Sequence, residues 1–428
     1  MKNNFQIPSG MHDILPEQQN VWQKINDTLS SIAQFYGFQR IDTSIMEDSE
    51  LYIKGTGESS EIVQKQMYTL KTAGGDSLTL RPEMTPGIIR AYLEHGMPNL
   101  ASPMKLYASG PVFRRERPQS GRYRQFHQFD LETIGEQDPV LDVQIIQFCA
   151  VALQSLHVGP FIIHINSIGC NQCRPHYKKA LKDFYRSKLR QVCADCRARY
   201  KTNVLRILDC KDEKCQRVRT QVPPILDYLC EECHNHFKLV LEYMDATGFS
   251  YIVNHYLVRG LDYYTKTVFE IFAGDVSTST EQTPVALAGG GRYDGLVRLL
   301  GGKDTPAVGM AMGMERIMNI LEEKKATFGK EARIRVFLVQ LGDLAKKKSL
   351  GLMERFRLSG IPVQESLGRA SIKSQLRIAD KVGAEFALIL GQKEAIDGTV
   401  IVREMENGIQ ETVPLEQIVS YLKKRFAG

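Results

Sequence analysis

The 428-residue sequence has no apolar run near the ~18 residues that a membrane-spanning helix requires, so no membrane partner is expected. Its first residues, MKNNFQIPSGMHD, lack the apolar core of a secretory signal, and a cytoplasmic protein is the expectation. Low-complexity tracts and internal repeats are missing. Glycine and proline, 34 and 17 residues, stay near average usage, which excludes collagen-like and disordered classes. Neither sign of charge dominates: 55 Lys and Arg face 49 Asp and Glu, a net +6. That weak basic bias permits a nucleic-acid partner without demanding one, because local clustering sets the field that a phosphate meets. With 43% hydrophobic residues the chain is globular, and it is too long for one compact core.

Residues 17–37 space Val21, Ile25, Leu29, Ile32 and Phe35 on one face and predict an amphipathic helix stopped at Gly37. Strand-like segments follow at FQRIDTSIME, before Arg81, and at LYASGPVF before Arg114. A short helix is expected over Pro86–His95. Strands mixed irregularly with helices indicate an α+β domain with a largely antiparallel sheet over residues 1–325. Within it, 170–240 reads as a helical, Lys/Arg-rich insertion holding eight of the nine cysteines. A charged linker spans 326–333. From Ile334 to 428, strands and helices alternate regularly, as in a small three-layer α/β domain.

The cysteines fall in four pairs: Cys170/Cys173, Cys193/Cys196, Cys210/Cys215 and Cys230/Cys233. The first two pairs form C-x₂-C-x₁₉-C-x₂-C, inside the spacing range of a tetrahedral structural zinc site. Reduced, partly buried cysteines are the alternative, and no metal ligand is assigned on spacing alone. Disulfides are disfavoured in a reducing compartment.

Three segments carry chemistry. FRRERPQSGRYRQFHQ, residues 113–128, sets five arginines against the single carboxylate Glu116, in a strand–loop–strand pattern. Guanidinium forks fit phosphate oxygens, and Phe126 offers a stacking face, although a solvated charged hairpin has the same composition. LVRGLDYY, residues 257–264, places Arg259 in an otherwise apolar strand pattern, where a charge must find a partner or ligand. AGGGRYDGL, residues 288–296, has three glycines that let backbone approach a ligand closely.

Together these segments resemble the class II aminoacyl-tRNA synthetases, and within them the histidyl-tRNA synthetase family. Residues 17–46 resemble the dimer-forming first motif, without its usual terminal proline. Phe113–Glu116, with the loop to Gln128, resembles the second, F-R-x-E. Gly309-Met-Ala-Met-Gly313-Met-Glu315-Arg316 resembles the third, G-x-G-x-E-R. LVRGLDYY and AGGGRYDGL resemble the two segments that set histidine enzymes apart. RPEMTP, residues 81–86, resembles R-P-E-G-T, with Met84 in the place of glycine, a change that implies a narrower pocket mouth.

The resemblance covers the whole chain. It implies a class II catalytic domain with an antiparallel sheet flanked by helices, a helical insertion, and a C-terminal α/β anticodon-binding domain. The implied activity uses ATP and Mg²⁺ to convert L-histidine to histidyl-adenylate, then transfers the histidyl group to tRNA(His) within a homodimer. Carried over residue by residue, Arg114 meets the α-phosphate, Arg316 the γ-phosphate of a bent ATP, and Arg122 the terminal phosphate. Glu116 meets the adenine edge and Phe126 stacks on the ring. Arg259 holds the opposite side of the α-phosphate and the substrate carboxylate, and with Arg114 is implied to be catalytic. Glu83, Thr85 and Gln128 bind the α-ammonium group. Glu132 and Tyr264, with Tyr263 beside them, read the imidazole, since a carboxylate and a phenol match the donor and acceptor nitrogens of that ring. In the tail, Lys346, Lys347, Lys348, Arg369 and Arg377 are implied to face the anticodon stem. The other class weighed is a catalytically inactive, histidine-sensing regulatory subunit of histidine biosynthesis. Such relatives tend to lose the tail and the motif arginines, and both are present here.

Overall fold

Ile25, Leu29 and Ala33 recur every four residues and form the buried stripe of α1 (Gln19–Phe35). Phe35 was expected on that stripe, but it stands 86% exposed. It lies six residues beyond Leu29, about 120° round the helix. The structure, a computed structural model, describes residues 5–58, 60–100, 102–119, 121–274, 285–326, 334–366 and 371–427. Residues 327–333 of the expected linker, and Arg369, lie outside them. The chain divides into a unit of residues 1–326 and a unit of residues 327–428.

In the first unit, β1 (Gln39–Arg40) precedes a small side sheet of β2 (Met46–Asp48), β3 (Tyr68–Lys71) and β4 (Ser77–Leu80). Between β2 and β3 lies α2 (Ser49–Thr56), capped by the Asp48 carboxylate, which accepts from Glu50 N at 2.8 Å. After α3 (Thr85–Glu94), β5 (Met104–Phe113) and β6 (Gln125–Ile134) pair along their whole length, from Met104 opposite Ile134 to Phe113 opposite Gln125. The arginine segment is the loop of this hairpin. Helix α4 (Val140–Ser155) is apolar on most sides, as a helix buried against a sheet must be.

Next come β7 (Phe161–Ser167) and the insertion, with α5 (Arg174–Arg186), α6 (Ala194–Thr202), α7 (Glu213–Arg219) and α8 (Glu231–Thr247). The unit closes with β8 (Tyr251–Val253), β9 (Thr265–Ala273), β10 (Ala286–Arg292), α9 (Leu296–Leu299), β11 (Ala307–Gly313) and α10 (Met314–Glu323). The main sheet runs β1-β5-β6-β11-β10-β9-β7-β8, antiparallel except for its two edge pairs.

Strand β6 explains how this sheet serves two faces. Successive side chains of a strand point to opposite sides. Phe129 stacks between Tyr107 of β5 and Phe148 of α4, so the odd-numbered face is core. The even-numbered residues Phe126, Gln128, Asp130 and Glu132 face a cavity instead.

Two sequence expectations change in the structure. LVRGLDYY is a loop between β8 and β9, not a strand. Asn254 turns the chain there: its backbone carbonyl accepts from Leu257 N at 2.9 Å and its side chain from Tyr256 N at 3.0 Å. The cysteines also pair differently. Cys170 and Cys173 meet Cys230 and Cys233, while Cys193 and Cys196 meet Cys210 and Cys215. The entry and exit of the insertion lie side by side, and its middle folds back on itself, so neighbours in sequence are not neighbours in space.

Arg292, the cation after the glycine run, points away from the cavity. Fully buried, it is bonded to Asp142 of α4 and donates to the carbonyls of Glu136 and Asp138 at 3.1 and 3.2 Å. Removing one partner of such a pair typically costs about 3–5 kcal/mol, because the other charge is left buried alone.

The second unit contains β12 (Val336–Gln340), α11 (Asp343–Leu358), β13 (Val363–Glu365), α12 (Ile372–Lys381), β14 (Phe386–Leu390), α13 (Gln392–Asp397), β15 (Thr399–Glu404), β16 (Gln410–Pro414) and α14 (Ile418–Ala427). Its sheet runs β13-β12-β14-β15-β16, parallel over the first three strands and antiparallel thereafter. Leu352, Phe356, Ile418 and Leu422 cover one face, and Ala379 with Leu376 covers the other. That is a three-layer α/β arrangement. Lys347, Lys348 and Arg377 are exposed on its helices.

Candidate active site

A cavity of about 360 Å³ opens on the polar face of β6. All twelve candidate residues line it: Glu83, Thr85, Arg114, Glu116, Arg122, Phe126, Gln128, Glu132, Arg259, Tyr263, Tyr264 and Arg316. They come from the start of α3, the β5–β6 hairpin, the 257–264 loop and the start of α10. Met84 is not among the lining residues. It is buried in the core beneath the cavity wall, so it does not narrow the mouth as its substitution for glycine implied.

Carboxylates and phenols make up one part of the wall. Glu83 accepts from Thr56 Oγ1 and Tyr263 OH, each at 2.8 Å. Glu132 accepts from Thr85 Oγ1 at 2.6 Å and from the Tyr293 hydroxyl. Burial pushes Glu132 up to about 8, with Thr85 and Tyr293 opposing the shift and Glu83 adding to it. Burial also raises Glu83, although Arg114 and its two hydroxyl partners work against it. Asp130 is held well above its ordinary value, first by burial and then by Glu132 and Glu83. Three carboxyl groups in one dry pocket resist ionising together.

Guanidinium groups make up the rest. Arg114 donates from Nε to Pro82 O at 2.8 Å and lies 5.3 Å from the Phe126 ring centre. Arg316 is anchored by Gly121 O at 3.0 Å and Ala286 O at 2.5 Å. Burial lowers its pKa, and the neighbouring Arg122 and Arg114 lower it further. Arg259 is paired with Glu270 of β9 and lies 5.3 Å from the Tyr264 ring centre. Burial works against its charge, but Tyr264 and Glu270 outweigh it and leave its pKa raised. Arg122, about half exposed, stands 3.8 Å from Glu116. Clustered cations at the edge of a low-dielectric cleft make a polyanion site.

Two glycines make room for these groups. A Cβ on Gly309 would stand 1.7 Å from Glu132 Oε2, and one on Gly289 would stand 2.5 Å from Arg259 Nη1. The glycine runs of β10 and β11 therefore leave space in the wall for the functional side chains of other elements.

Sequence reasoning missed several lining residues. Arg206 comes from the insertion, where it is one of many basic residues, and pairs with Glu61 at 3.6 Å. Asp130 and Glu270 carried a readable signal, since each is a carboxylate between two large apolar neighbours, Phe129 and Leu131 for the one, Phe269 and Ile271 for the other. Tyr293, in the AGGGRYDGL segment, bonds directly to Glu132.

An antiparallel sheet that offers an arginine hairpin and a closing glycine strand and helix to one cleft is the catalytic unit of a class II aminoacyl-tRNA synthetase. Comparison with known proteins narrows the class. The family model of histidyl-tRNA synthetase matches residues 10–317, and that of an anticodon binding domain matches residues 335–425. A histidine–tRNA ligase of Dehalococcoides mccartyi is 43% identical over 422 residues, covering 99% of this chain and all of that protein. One of Desulforamulus reducens is 40% identical over 418 residues, covering 98% and 99%. The apo crystal structure of the S. aureus histidyl-tRNA synthetase superposes with a TM-score of 0.78 at 34% identity, covering 98% of this chain and 100% of that one. The chain belongs to the histidyl-tRNA synthetase family.

Proposed function

We propose that this chain is a histidine–tRNA ligase. The observation that carries the reading is the convergence of Arg114, Arg259 and Arg316 on the cavity that also holds the Glu132 carboxylate and the Tyr264 phenol. In the first step a carboxylate oxygen of histidine attacks the α-phosphorus of ATP, and the bond to the bridging oxygen breaks, releasing pyrophosphate. In the second, a ribose hydroxyl of the tRNA 3′-terminal adenosine attacks the histidyl carbonyl and AMP departs. Both steps are catalysed mainly by positioning and by stabilising charge on phosphate oxygens.

Arg114 and Arg259 grip the α-phosphate, and Arg259 also orients the attacking carboxylate. Arg316 holds the far phosphate, with Arg122 beside it. Phe126 and Glu116 take the adenine. Glu83 and Gln128 receive the α-ammonium group. Glu132 accepts from one imidazole N–H while Tyr264 meets the other nitrogen, and Tyr263 fixes Glu83. Thr85, whose hydroxyl bonds to Glu132, serves histidine by orienting that carboxylate. Discrimination follows from burial: a substrate without matching ring nitrogens leaves these groups unpaired. ATP brings Mg²⁺ with its phosphates. The ion would neutralise charge on the leaving pyrophosphate, while Glu270 stays engaged with the Arg259 guanidinium.

For tRNA(His), the second unit takes the anticodon stem through exposed basic residues such as Lys347, Lys348 and Arg377. A homodimer is supported by exposed apolar side chains along the first motif, Phe35, Ile45 and Met46, and sedimentation should give about twice 48.4 kDa. Among the described residues no helix is long and apolar enough to cross a membrane, which fits action in the cytoplasm. No observation favours the regulatory reading, because the three arginines and the tail are in place.

The test of the reading is histidine-dependent exchange of labelled pyrophosphate into ATP. A companion prediction concerns Gly309→Ala. The added methyl should displace the Glu132 carboxylate and lower kcat/KM for histidine by roughly 10–100-fold, about 1.4 kcal/mol per factor of ten. A G309A protein with unchanged histidine kinetics would contradict the role given to Glu132.

A further inference from the structure

We infer that the insertion holds two structural zinc ions, each bound by four thiolates: one by Cys170, Cys173, Cys230 and Cys233, the other by Cys193, Cys196, Cys210 and Cys215. Within each group the sulfurs all lie within 4.8 Å of one another, and none of the eight is in a disulfide. In the first group, Cys170–Cys173, Cys170–Cys230 and Cys173–Cys233 are each 3.8 Å apart, as are Cys193 and Cys210 in the second. A tetrahedron with Zn–S bonds of about 2.3 Å has edges of about 3.8 Å, so one ion at the centre of each group reaches all four sulfurs. Iron–sulfur clusters hold several metal atoms and need more room between their thiolates.

The surroundings match as well. Backbone N–H groups donate to the sulfurs: Cys170 N to Cys173 Sγ at 3.2 Å, Gln172 N to Cys170 Sγ at 3.4 Å, Cys193 N to Cys215 Sγ at 3.1 Å and Cys196 N to Cys193 Sγ at 3.4 Å. Such donors stabilise thiolate ligands and fix their orientation. A Cβ on Gly169 would come within 2.6 Å of Cys173 Sγ, so the backbone is glycine where the cluster sits tightest.

Each ion would also have a place in the architecture. The first ties the entry of the insertion to its exit, next to Arg174, which donates to Tyr264 O, a residue of the cavity wall. The second closes the 193–215 segment, from which Asn203 donates to Asp262 Oδ1 at 3.0 Å and Arg206 reaches the cavity. The two metals would hold the insertion in register with the active site without touching substrate.

The test is elemental analysis of full-length protein purified without chelators from zinc-supplemented cells, with X-ray absorption at the zinc edge. Wild type should hold about two zinc per chain, with an average shell of about four sulfurs near 2.3 Å. C170S/C173S/C230S/C233S and C193S/C196S/C210S/C215S should each keep about one. Zinc below about 0.2 per chain in wild type, iron in its place, or a shell rich in nitrogen or oxygen overturns the assignment. If both quadruple variants keep normal circular dichroism yet retain no zinc, the sequence-adjacent pairing of Cys170/Cys173 with Cys193/Cys196 is correct and the one inferred here is wrong.

Discussion

Arg259→Ala should lower histidine-dependent ATP–pyrophosphate exchange by about 10²–10³-fold, the usual loss when one preorganised donor to a developing negative charge is removed. The size of the effect follows from where the guanidinium stands. It is partly buried, paired with Glu270 and packed against Gly289, so it is already in place before substrate arrives. Most of the loss should therefore appear in kcat, with a smaller rise in KM, the pattern of an interaction strengthened in the transition state. Arg259→Lys should rescue little, since a point charge cannot replace the fork in the proposed double role on a phosphate and a carboxylate. The variant also leaves the partly buried Glu270 without its cation. Arg259→Ala with Glu270→Gln should recover stability but not exchange activity, separating catalysis from folding. An R259A enzyme within threefold of wild type would remove Arg259 from the mechanism.

Glu132→Gln should give a protein that is more stable above neutral pH and almost unable to use histidine. Glu132 shifts from an ordinary 4.5 to about 8 in the folded chain, chiefly through burial. Between those values the folded state binds more protons than the unfolded state, so its stability falls as pH rises through that window. Glutamine has no proton to lose. The melting temperature of Glu132→Gln relative to wild type should therefore climb from pH 5 to pH 8, by roughly 2–4 °C for each kcal/mol recovered. Meanwhile kcat/KM for histidine should fall at least ~10²-fold, because the amide puts an N–H₂ donor where a carboxyl oxygen now accepts, leaving buried donors unpaired. Gains in stability paired with loss of activity mark a group kept for chemistry. A variant stabilised equally at every pH would show that Glu132 is ionised in the folded state, contrary to its burial.

Much of this site is legible in the chain because its signals are local. The arginine loop between two ten-residue strands, the glycine strand leading to Glu315 and Arg316, and the α1 periodicity each depend on neighbours in sequence. Other features depend on partners far away. Arg259 looks like a strand residue by its apolar neighbours, yet Asn254 turns that segment into a loop. Arg292 follows three glycines and resembles a ligand-binding cation, but it belongs to Asp142 across the sheet. The cysteine spacing left a metal open and set Cys170/Cys173 with Cys193/Cys196, because only the fold brings residue 170 beside residue 230. Arg206 has no local signature at all; it matters only because the insertion lies against the cavity. Phe35 shows the converse. Its apolar character suggested core, whereas its position round the helix leaves it exposed on the surface assigned to the dimer.

One measurement bears most directly on the guanidinium cleft with its imidazole-matched pocket: ATP–pyrophosphate exchange by the wild-type protein, run separately with each of the standard amino acids. Exchange should occur with histidine alone and require magnesium. Exchange driven by any other amino acid, or none with histidine in a folded, dimeric preparation, would contradict the assignment.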